Sequence, residues 1–196
     1  MGMHNLARQV APRAAAHVDL GGCRRLLDLG GGPGTHAIYF CLENPGLNAT
    51  VADLPATRPY AEENIADYGL SGRISFTPVD YTAENIPGHY DAAWLSHILH
   101  GEGPENCRKI LQKTMSALAS GGKILVHDFI LDNTGDAPLF PALFSLNMLV
   151  NTDSGRAYAE QEITEMLSTA GAGQIRRLDF RGPNDSGIIE GIVPRR

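Results

Sequence analysis

Short apolar runs alternate along the chain with longer stretches in which apolar positions recur every three or four residues. The short runs predict β-strands, since strands of a buried parallel sheet read as nearly continuous apolar segments. They fall at residues 25–29, 49–53, 73–79, 91–95 and 123–130, and a late pair at 174–180 and 186–193 is typical of a closing hairpin. Pro78 lacks a backbone donor, which favours either an edge position for the third strand or the end of that strand.

The longer stretches predict helices at residues 35–42, 61–68, 104–119 and 160–170. In the clearest of them, Pro104 suits the first helical position, and Gly121 with Gly122 is expected to end the helix. Residues 1–20 predict a lead-in helix that could break near Pro12. The alternation of strands and helices predicts one α/β domain over residues 21–196. We expect a mostly parallel seven-stranded sheet with a C-terminal antiparallel hairpin and helices on both faces.

Composition and charge narrow the function classes. The 196 residues carry a net charge of −6 and no basic run, which disfavours a nucleic-acid binder that neutralises phosphates. We find no apolar segment long enough to span a bilayer and expect no secretory signal at the start. The 3 cysteines are too few and too scattered for a disulfide framework. We therefore expect a cytoplasmic protein without nucleic-acid or membrane partners.

Four glycines occupy residues 30–34, between the first strand and the first helix that follows it. Glycine lets a backbone turn tightly and approach a ligand, and the N–H groups of a helix start can face a polar group. A dinucleotide loop would place its third glycine at position 35, where the chain has Thr35. The spacing Asp-x-Gly-x-Gly-x-Gly from Asp28 is instead the form found in S-adenosylmethionine (SAM) enzymes. A nicotinamide cofactor stays open as an alternative.

Acidic residues lie at the ends of three successive predicted strands: Asp28, Asp53 and Asp80. In an open α/β sheet, these strand ends form the crevice where ligands bind. The carboxylate of Asp53 can accept hydrogen bonds from both ribose hydroxyls, and that of Asp80 could accept from an adenine amino group. Three acids also suit a cationic cofactor, since SAM carries a sulfonium and an ammonium group.

Six stretches carry a resemblance to a known family: LLDLGGGPGTHAIYF, TVADLP, ISFTPVDY, DAAWLSHILH, GGKILVHDFIL and EITEMLSTAGA. Over residues 6–194 the chain resembles the catalytic domain of SAM-dependent O-methyltransferases of the caffeic acid and hydroxyindole type, including bacterial small-molecule members. The glycine loop is shared by many class I methyltransferases, whereas ADLP and SHILH are more specific. The resemblance implies a Rossmann-like class I methyltransferase fold, SAM as cofactor and S-adenosyl-L-homocysteine (SAH) as product.

The resemblance also implies which residues contact the cofactor. They are Asp28, Gly30, Gly32, Gly34, Asp53, Leu54, Asp80, Tyr81 and Ser96.

Two histidines follow the fourth predicted strand. His100 falls on the general base of the family, which would accept a phenol proton as the oxygen attacks the methyl group. His97 lies nearer the strand and is expected to have a structural role or to contact the substrate. We predict no metal site, because no carboxylate or third histidine stands at ligand spacing from this pair.

The chain departs from the plant-type pattern after His100. Gly101 and Glu102 stand where the family often continues with Asp-Trp, so a weaker cofactor clamp is expected. Ala157 stands where a glutamate helps to position the base in plant-type members. Asp128 occupies the other acidic position and is expected to orient His100.

Residues 140–151 (FPALFSLNMLVN) predict either a substrate wall or a buried core helix. Phe144 and Met148 would share one helix face, with amide side chains beside them, and such a wall suits a flat organic acceptor. The predicted substrate contacts are His97, Phe140, Phe144, Asn147, Met148 and Asn151.

The leading hypothesis is methyl transfer from SAM to a hydroxyl of a small aromatic molecule, with His100 as general base. Methylation of carbon or nitrogen on the same scaffold is one alternative, and a SAM-binding fragment without independent catalysis is another. Family members usually carry an N-terminal dimerisation domain, and we expect that domain to be absent here. The oligomeric state is therefore left open, and an exposed apolar patch is expected.

Overall fold

The computed structural model describes residues 2–195, with side chains described from residue 7 onward. Seven strands form its sheet: β1 (Arg25–Leu29), β2 (Asn48–Asp53), β3 (Ile74–Pro78), β4 (Tyr90–Ser96), β5 (Leu118–Phe129), β6 (Gly173–Arg177) and β7 (Ser186–Ile192). Their spatial order is β3-β2-β1-β4-β5-β7-β6. Strands β1 to β5 run parallel, and β7 runs antiparallel to both β5 and β6. The mostly parallel sheet, its closing hairpin and the edge position of β3 are thus confirmed.

Helices cover both faces of the sheet, as predicted. They are α1 (Gly2–His17), α2 (Thr35–Glu43), α3 (Arg58–Asp67), α4 (Pro104–Ser116), α5 (Leu139–Asn151) and α6 (Glu160–Thr169). One apolar core lies between the sheet and helices α4 and α6, and a second core lies between the other face and helices α1 to α3. Helix α5 belongs to neither core, and it follows β5 at the end of the sheet where the strands terminate.

Helix α1 continues through Pro12 without a break. Proline removes one hydrogen bond from a helix interior, which ordinarily kinks or ends it. Here Val10, Ala14 and Ala15 are buried in the second core, and α1 packs along α2. We attribute the continuity of the helix to this packing.

The predicted end of α4 is wrong by three residues, since the helix ends at Ser116 and not at 119. The carbonyl of Ala117 accepts the N–H of Tyr90, and Leu118 then pairs with Tyr90 at the start of β4. Gly122 therefore lies inside an irregular part of β5, where a Cβ would stand 2.8 Å from the carbonyl oxygen of Ala119. Its role is to allow this close approach and not to end a helix.

The parallel register brings the carboxyl ends of four strands to one edge. Leu29 of β1 lies opposite Ala52 of β2 and Leu95 of β4. Ser96, the last residue of β4, pairs with His127 of β5. The residues that follow these strands therefore meet at one end of the sheet, which is where ligands bind in folds of this kind.

Candidate active site

The loop after β1 depends on glycine at several positions. Gly30, Gly32 and Gly34 have φ angles of 62°, 52° and 72°, in the left-handed region that favours glycine. A Cβ on Gly30 would overlap the side chain of Ile98, and one on Gly31 would lie 2.6 Å from the carboxyl group of Asp28. The loop backbone thus passes directly over Asp28, whereas a Cβ on Gly32 would meet nothing within 4 Å.

Gly34 differs from the other loop glycines. It is the N-terminal cap of α2 and is buried, and a Cβ there would lie 3.1 Å from a methyl group of Val51. The structure thus gives Gly34 a role in packing α2 against β2. The position of Gly34 adds no support to its predicted contact with a cofactor.

Two carboxylates support the loop. Asp53 accepts the N–H of Gly32 at 2.7 Å with one oxygen and the N–H of Leu54 at 2.6 Å with the other. Each carboxylate oxygen keeps a further lone pair, so a diol can still donate to Asp53. Asp28 is 1% exposed, and its Oδ2 accepts the N–H of Ala37 at 3.1 Å. Burial raises the pKa of Asp28 to about 7, although this bond opposes the rise.

A cavity of about 140 Å³ opens beside the loop. It is lined by Ala7, Val10, Asp28, Gly30, Gly31, Gly32, Pro33, Thr35, His36, Ser96, His97 and His127. Three of these residues carry a buried polar atom without a hydrogen-bond partner within residues 2–195: Oδ1 of Asp28, Nε2 of His36 and Nδ1 of His97. Unpartnered buried polar atoms are rare in folded proteins, and their meeting at one cavity indicates a ligand site.

Ser96 is oriented by a buried histidine. Its hydroxyl lies 2.9 Å from Nδ1 of His127, whose Nε2 lies 3.0 Å from the hydroxyl of Ser186. Burial, with the neighbouring histidines, holds the pKa of His127 well below its ordinary value, so the ring is neutral. A neutral ring offers one donor and one acceptor, and the Ser96 hydroxyl is therefore held at the cavity wall in a defined orientation.

The remaining predicted cofactor contacts lie at the end of β3 and beyond β2. A Cβ on Gly30 would lie 3.4 Å from the ring of Tyr81, so this ring borders the loop. Asp80 accepts the N–H and the hydroxyl of Thr82 at 3.0 and 2.6 Å, which holds the pKa of its exposed carboxyl below the usual range. Leu54 is 47% exposed beside Asp53. The structure leaves the surfaces of Asp80 and Leu54 accessible.

His100 and Asp128 form a buried pair. Nδ1 of His100 lies 2.6 Å from Oδ1 of Asp128, and the backbone N–H of His100 lies 3.4 Å from Oδ2. His100 stands in a short 3₁₀ turn, Leu99–Gly101, and is 8% exposed. Burial alone would lower the pKa of His100, but the charge of Asp128 and this hydrogen bond together raise it. The geometry suits a base whose orientation is fixed by a carboxylate.

His97 stands beside the same carboxylate. Its Nδ1 lies 3.5 Å from Oδ1 of Asp128, too long for a good hydrogen bond, and its φ is 59°. The premise that no carboxylate stands at ligand spacing from the two histidines is therefore wrong. Asp128 is 28 residues from His100 in sequence and adjacent to it in space, because β4 and β5 are neighbouring strands.

Aromatic rings form a wall next to His100. The Phe144 ring meets the His100 ring edge-on at 4.8 Å between centroids, and Phe129 lies 4.7 Å from Phe144. Phe140 lies 5.0 Å from Phe129. Met148, one turn beyond Phe144 on the same helix, is half-buried. The structure thus brings part of the predicted substrate wall to the candidate base.

The rest of α5 faces outward, so the alternative of a buried core helix is wrong. In this helix only Pro141 is buried. Its exposed apolar residues are Leu139, Phe140, Leu143, Leu146, Leu149 and Val150. Asn147 and Asn151 are also exposed and bond to each other at 2.5 Å, so the structure does not bring these amides to the aromatic wall. The expected exposed apolar patch is confirmed.

Sequence reasoning missed several residues of the site. Phe129 directly follows Asp128 at the end of a predicted strand, and His36 lies two residues after the glycine loop, so the sequence pattern could have indicated both positions. No sequence pattern indicated Ser186, because its contact with His127 depends on the β5–β7 pairing. Gly155 was also missed, although a Cβ there would lie 2.5 Å from the carbonyl oxygen of His100.

Comparison with known proteins gives a consistent result. The family profile described as "O-methyltransferase domain" matches residues 1–173. A 3-hydroxy-5-methyl-1-naphthoate 3-O-methyltransferase from Streptomyces sahachiroi is 39% identical over 97% of this chain and 55% of its own length. An L-tyrosine C(3)-methyltransferase from Streptomyces lavendulae is 33% identical over 88% of this chain and 48% of its own length. The chain thus spans about half the length of these curated relatives.

Among solved structures, the chain is similar to human N-acetylserotonin methyltransferase in complex with SAM. The TM-score is 0.83 at 27% identity, over 94% of this chain and 52% of the other.

Within the described part of the chain, no helix is long and apolar enough to cross a membrane.

Proposed function

The chain belongs to the O-methyltransferase domain family, and on that premise we propose that it transfers the methyl group of SAM to an oxygen of a small aromatic molecule. The observation that carries the proposal is the His100–Asp128 pair, 2.6 Å apart, which lies against the ring of Phe144. The aromatic substrate named for the Streptomyces sahachiroi relative and the SAM bound to the human enzyme support the choice of acceptor and cofactor.

The residues around the glycine loop fit SAM. The cofactor has a ribose diol and a positively charged amino-acid end, and it supplies a methyl group on a sulfonium centre when bound. Asp53 retains lone pairs for the diol, and the unpartnered Oδ1 of Asp28 is an acceptor for an ammonium group. Asp53 would suit the ribose of either cofactor, but NAD carries no ammonium group, so Asp28 favours SAM over NAD.

His100 is the group that we expect to accept the proton of the acceptor. Its Nδ1 faces Asp128, so a neutral ring that donates from Nδ1 keeps Nε2 free to take a proton. A phenol has a pKa of about 10 and is mostly neutral at pH 7, so removal of its proton strengthens the attacking oxygen. Asp128 then stabilises the positive ring. The aromatic wall holds a flat acceptor in place, which contributes through proximity.

The test begins with calorimetric titration of the chain with SAH and, separately, with NADH. Turnover is then measured with methyl-labelled SAM and a panel of small phenols. We expect His100→Gln to lower kcat/KM by about 10²- to 10⁴-fold, the usual range for a lost general base, with the Kd of SAH unchanged. His89→Gln, an exposed histidine before β4, is the matched control.

The outcomes separate the parts of the proposal. Unchanged turnover in His100→Gln would refute the role of base, and binding of NADH but not SAH would refute methyl transfer. Binding of SAH without turnover on any phenol would mean that this chain is a SAM-binding part that does not catalyse by itself.

Carbon methylation is a second candidate, because the Streptomyces lavendulae relative is named as a C(3)-methyltransferase of tyrosine. The same base would serve it, since a phenolate also activates its ring carbons. The position of the methyl group in the product, read by NMR, decides between oxygen and carbon.

A cytoplasmic location and the absence of nucleic-acid partners stay predictions.

A further inference from the structure

The proposed methyl transfer uses only one of the two histidines beside Asp128. A base needs a single histidine on its carboxylate, yet the side chain of His97 is 8% exposed and its Nδ1 lies 3.5 Å from the same oxygen. That nitrogen has no hydrogen-bond partner among the described residues. A buried nitrogen without a well-formed hydrogen bond is unfavourable, and a positive φ outside glycine adds strain. Both costs point to a role that packing does not explain.

The three side chains form a recognisable donor set. The ligand atoms of His97, His100 and Asp128 all lie within 4.8 Å of one another. Two imidazoles and one carboxylate are the set that holds Zn²⁺ in several hydrolytic enzymes and Fe²⁺ in many oxygenases. The set is therefore chemically suited to a divalent ion of the first transition series, and not to Mg²⁺ or Ca²⁺, which prefer oxygen ligands alone.

The distances allow an ion with a small movement. Bonds of about 2.0–2.1 Å in a tetrahedral site place neighbouring ligand atoms about 3.3 Å apart. The separation of His97 Nδ1 and Asp128 Oδ1 is 3.5 Å, close to that value. The separation of His100 Nδ1 and Asp128 Oδ1 is 2.6 Å, a hydrogen-bond length. An ion would replace the proton between them, and the pair would open by less than about 1 Å.

The site is also reachable. His97 lines the cavity of about 140 Å³ beside the glycine loop. A cavity of this size holds several water molecules, which can complete the coordination shell of an ion. Of the three side chains, His97 lines this cavity, so an ion can approach the set from the side of His97, and water in the cavity can occupy the remaining coordination positions.

We propose that His97, His100 and Asp128 bind one divalent transition-metal ion, with Zn²⁺ as the representative, and that this ion blocks the base. Binding replaces the proton on Nδ1 of His100 with a metal–nitrogen bond, and Nε2 takes up one proton from solvent, so no net proton is released. The neutral ring then carries its proton on Nε2, the atom that would have accepted the proton of the acceptor. The block of the base rests on the proposed function, whereas the binding of the metal does not.

Binding is measured first, without turnover. The chain is titrated with Zn²⁺ in competition with a chromogenic chelator, and Co²⁺ is used to read the geometry from its visible absorption. We expect one saturable site per chain. His97→Asn removes the ring but keeps a residue that tolerates positive φ, and Asp128→Asn removes the charge. Each should weaken binding at least about tenfold, since even residues behind a metal ligand contribute that much.

His89→Asn, which removes an exposed histidine before β4, is the matched control and should bind Zn²⁺ as the parent chain does. Thermal melts establish that each variant is folded. Absence of saturable binding, or equal binding by parent and His97→Asn, overturns the site. Turnover on a phenol is then followed with added Zn²⁺, and inhibition that a chelator reverses supports the block of the base. Metal binding without inhibition would refute the block of the base and leave the metal site unaffected.

Discussion

Asp28 is a buried carboxyl at which stability and the proposed cofactor contact can be measured with one variant. It is 1% exposed, it accepts one hydrogen bond from the N–H of Ala37, and its second oxygen has no partner in the described chain. Burial raises its pKa from 3.8 to about 7. The folded chain therefore binds this proton more tightly than the unfolded chain does.

The sign of the pH dependence follows from that difference. Between pH 3.8 and about 7 the native carboxyl keeps its proton while the unfolded one has lost it, so the free energy of unfolding falls as pH rises. At about 1.4 kcal/mol per pKa unit, the full loss is about 4 kcal/mol above pH 7. Of this, about 2.5 kcal/mol develops between pH 5 and pH 8.

Asp28→Asn removes the titration and keeps the shape. Its amide introduces a fixed cost that does not change with pH, so the comparison of pH slopes isolates the carboxyl. Urea unfolding of both chains at pH 5 and pH 8 should show the stability difference moving by about 2.5 kcal/mol in favour of the variant. Parallel pH dependences in the two chains would refute the buried, proton-retaining carboxyl.

The same variant should bind SAH more weakly. The ammonium group of the cofactor requires an acceptor, and an amide is a poorer acceptor than a carboxylate. A charged hydrogen bond contributes about 1.5–3 kcal/mol, so we expect at least a tenfold rise in the Kd of SAH at about pH 8. A variant that is more stable at high pH and binds the cofactor less well would indicate that Asp28 is retained for binding. Unchanged SAH affinity would mean that Asp28 does not contact the cofactor.

Three further predictions follow from other parts of the structure. Asp53→Asn should weaken SAH binding by at least about tenfold in calorimetry, because its carboxylate holds the loop and, in the proposed function, accepts hydrogen bonds from the ribose; an unchanged Kd would contradict this role. Gly155→Ala should lower kcat with the Kd of SAH unchanged, since the added Cβ would lie 2.5 Å from the carbonyl oxygen of His100. The control is Gly46→Ala, which has open space around the added Cβ and should behave as the parent chain. Leu149→Lys, at a residue 72% exposed, should shift the free energy of unfolding by less than about 0.5 kcal/mol while reducing the binding of an apolar dye; a large loss of stability would show that this face of α5 is packed.

Much of the site was predictable because parallel strands end at a common edge. The glycine loop, Asp53 and His100 each follow an apolar run, and the alternation of strands and helices places those run ends together. This rule concerns the order of elements and requires no knowledge of side-chain packing. The contact of Asp128 with His100 was expected from the family resemblance and not from this rule. Its contact with His97 was missed, because that contact depends on β5 lying next to β4.

The failures have two physical causes. The apolar face of α4 continues to Leu118, so periodicity favours a longer helix, but pairing of Leu118 with Tyr90 draws that residue into the sheet. Helix α5 is apolar on most sides, which ordinarily indicates burial. Apolar composition does not determine whether other parts of the protein cover a helix face. In α5, Leu139 and Leu149 are each 72% exposed.

The unpartnered buried atoms give an independent argument that the cavity holds a ligand. Four such side-chain atoms occur in the described chain, and three belong to Asp28, His36 and His97, which line one cavity. The fourth is Nε1 of Trp94. At about 1–3 kcal/mol each, the three atoms cost a sizeable share of the 5–15 kcal/mol by which a folded domain is stable. If these atoms reflected imperfect packing, they would be scattered through both cores. Their concentration beside the glycine loop is expected if bound groups supply the missing partners, a polar ligand at Asp28 and His36 and the proposed ion at His97, so binding of either should also stabilise the folded chain.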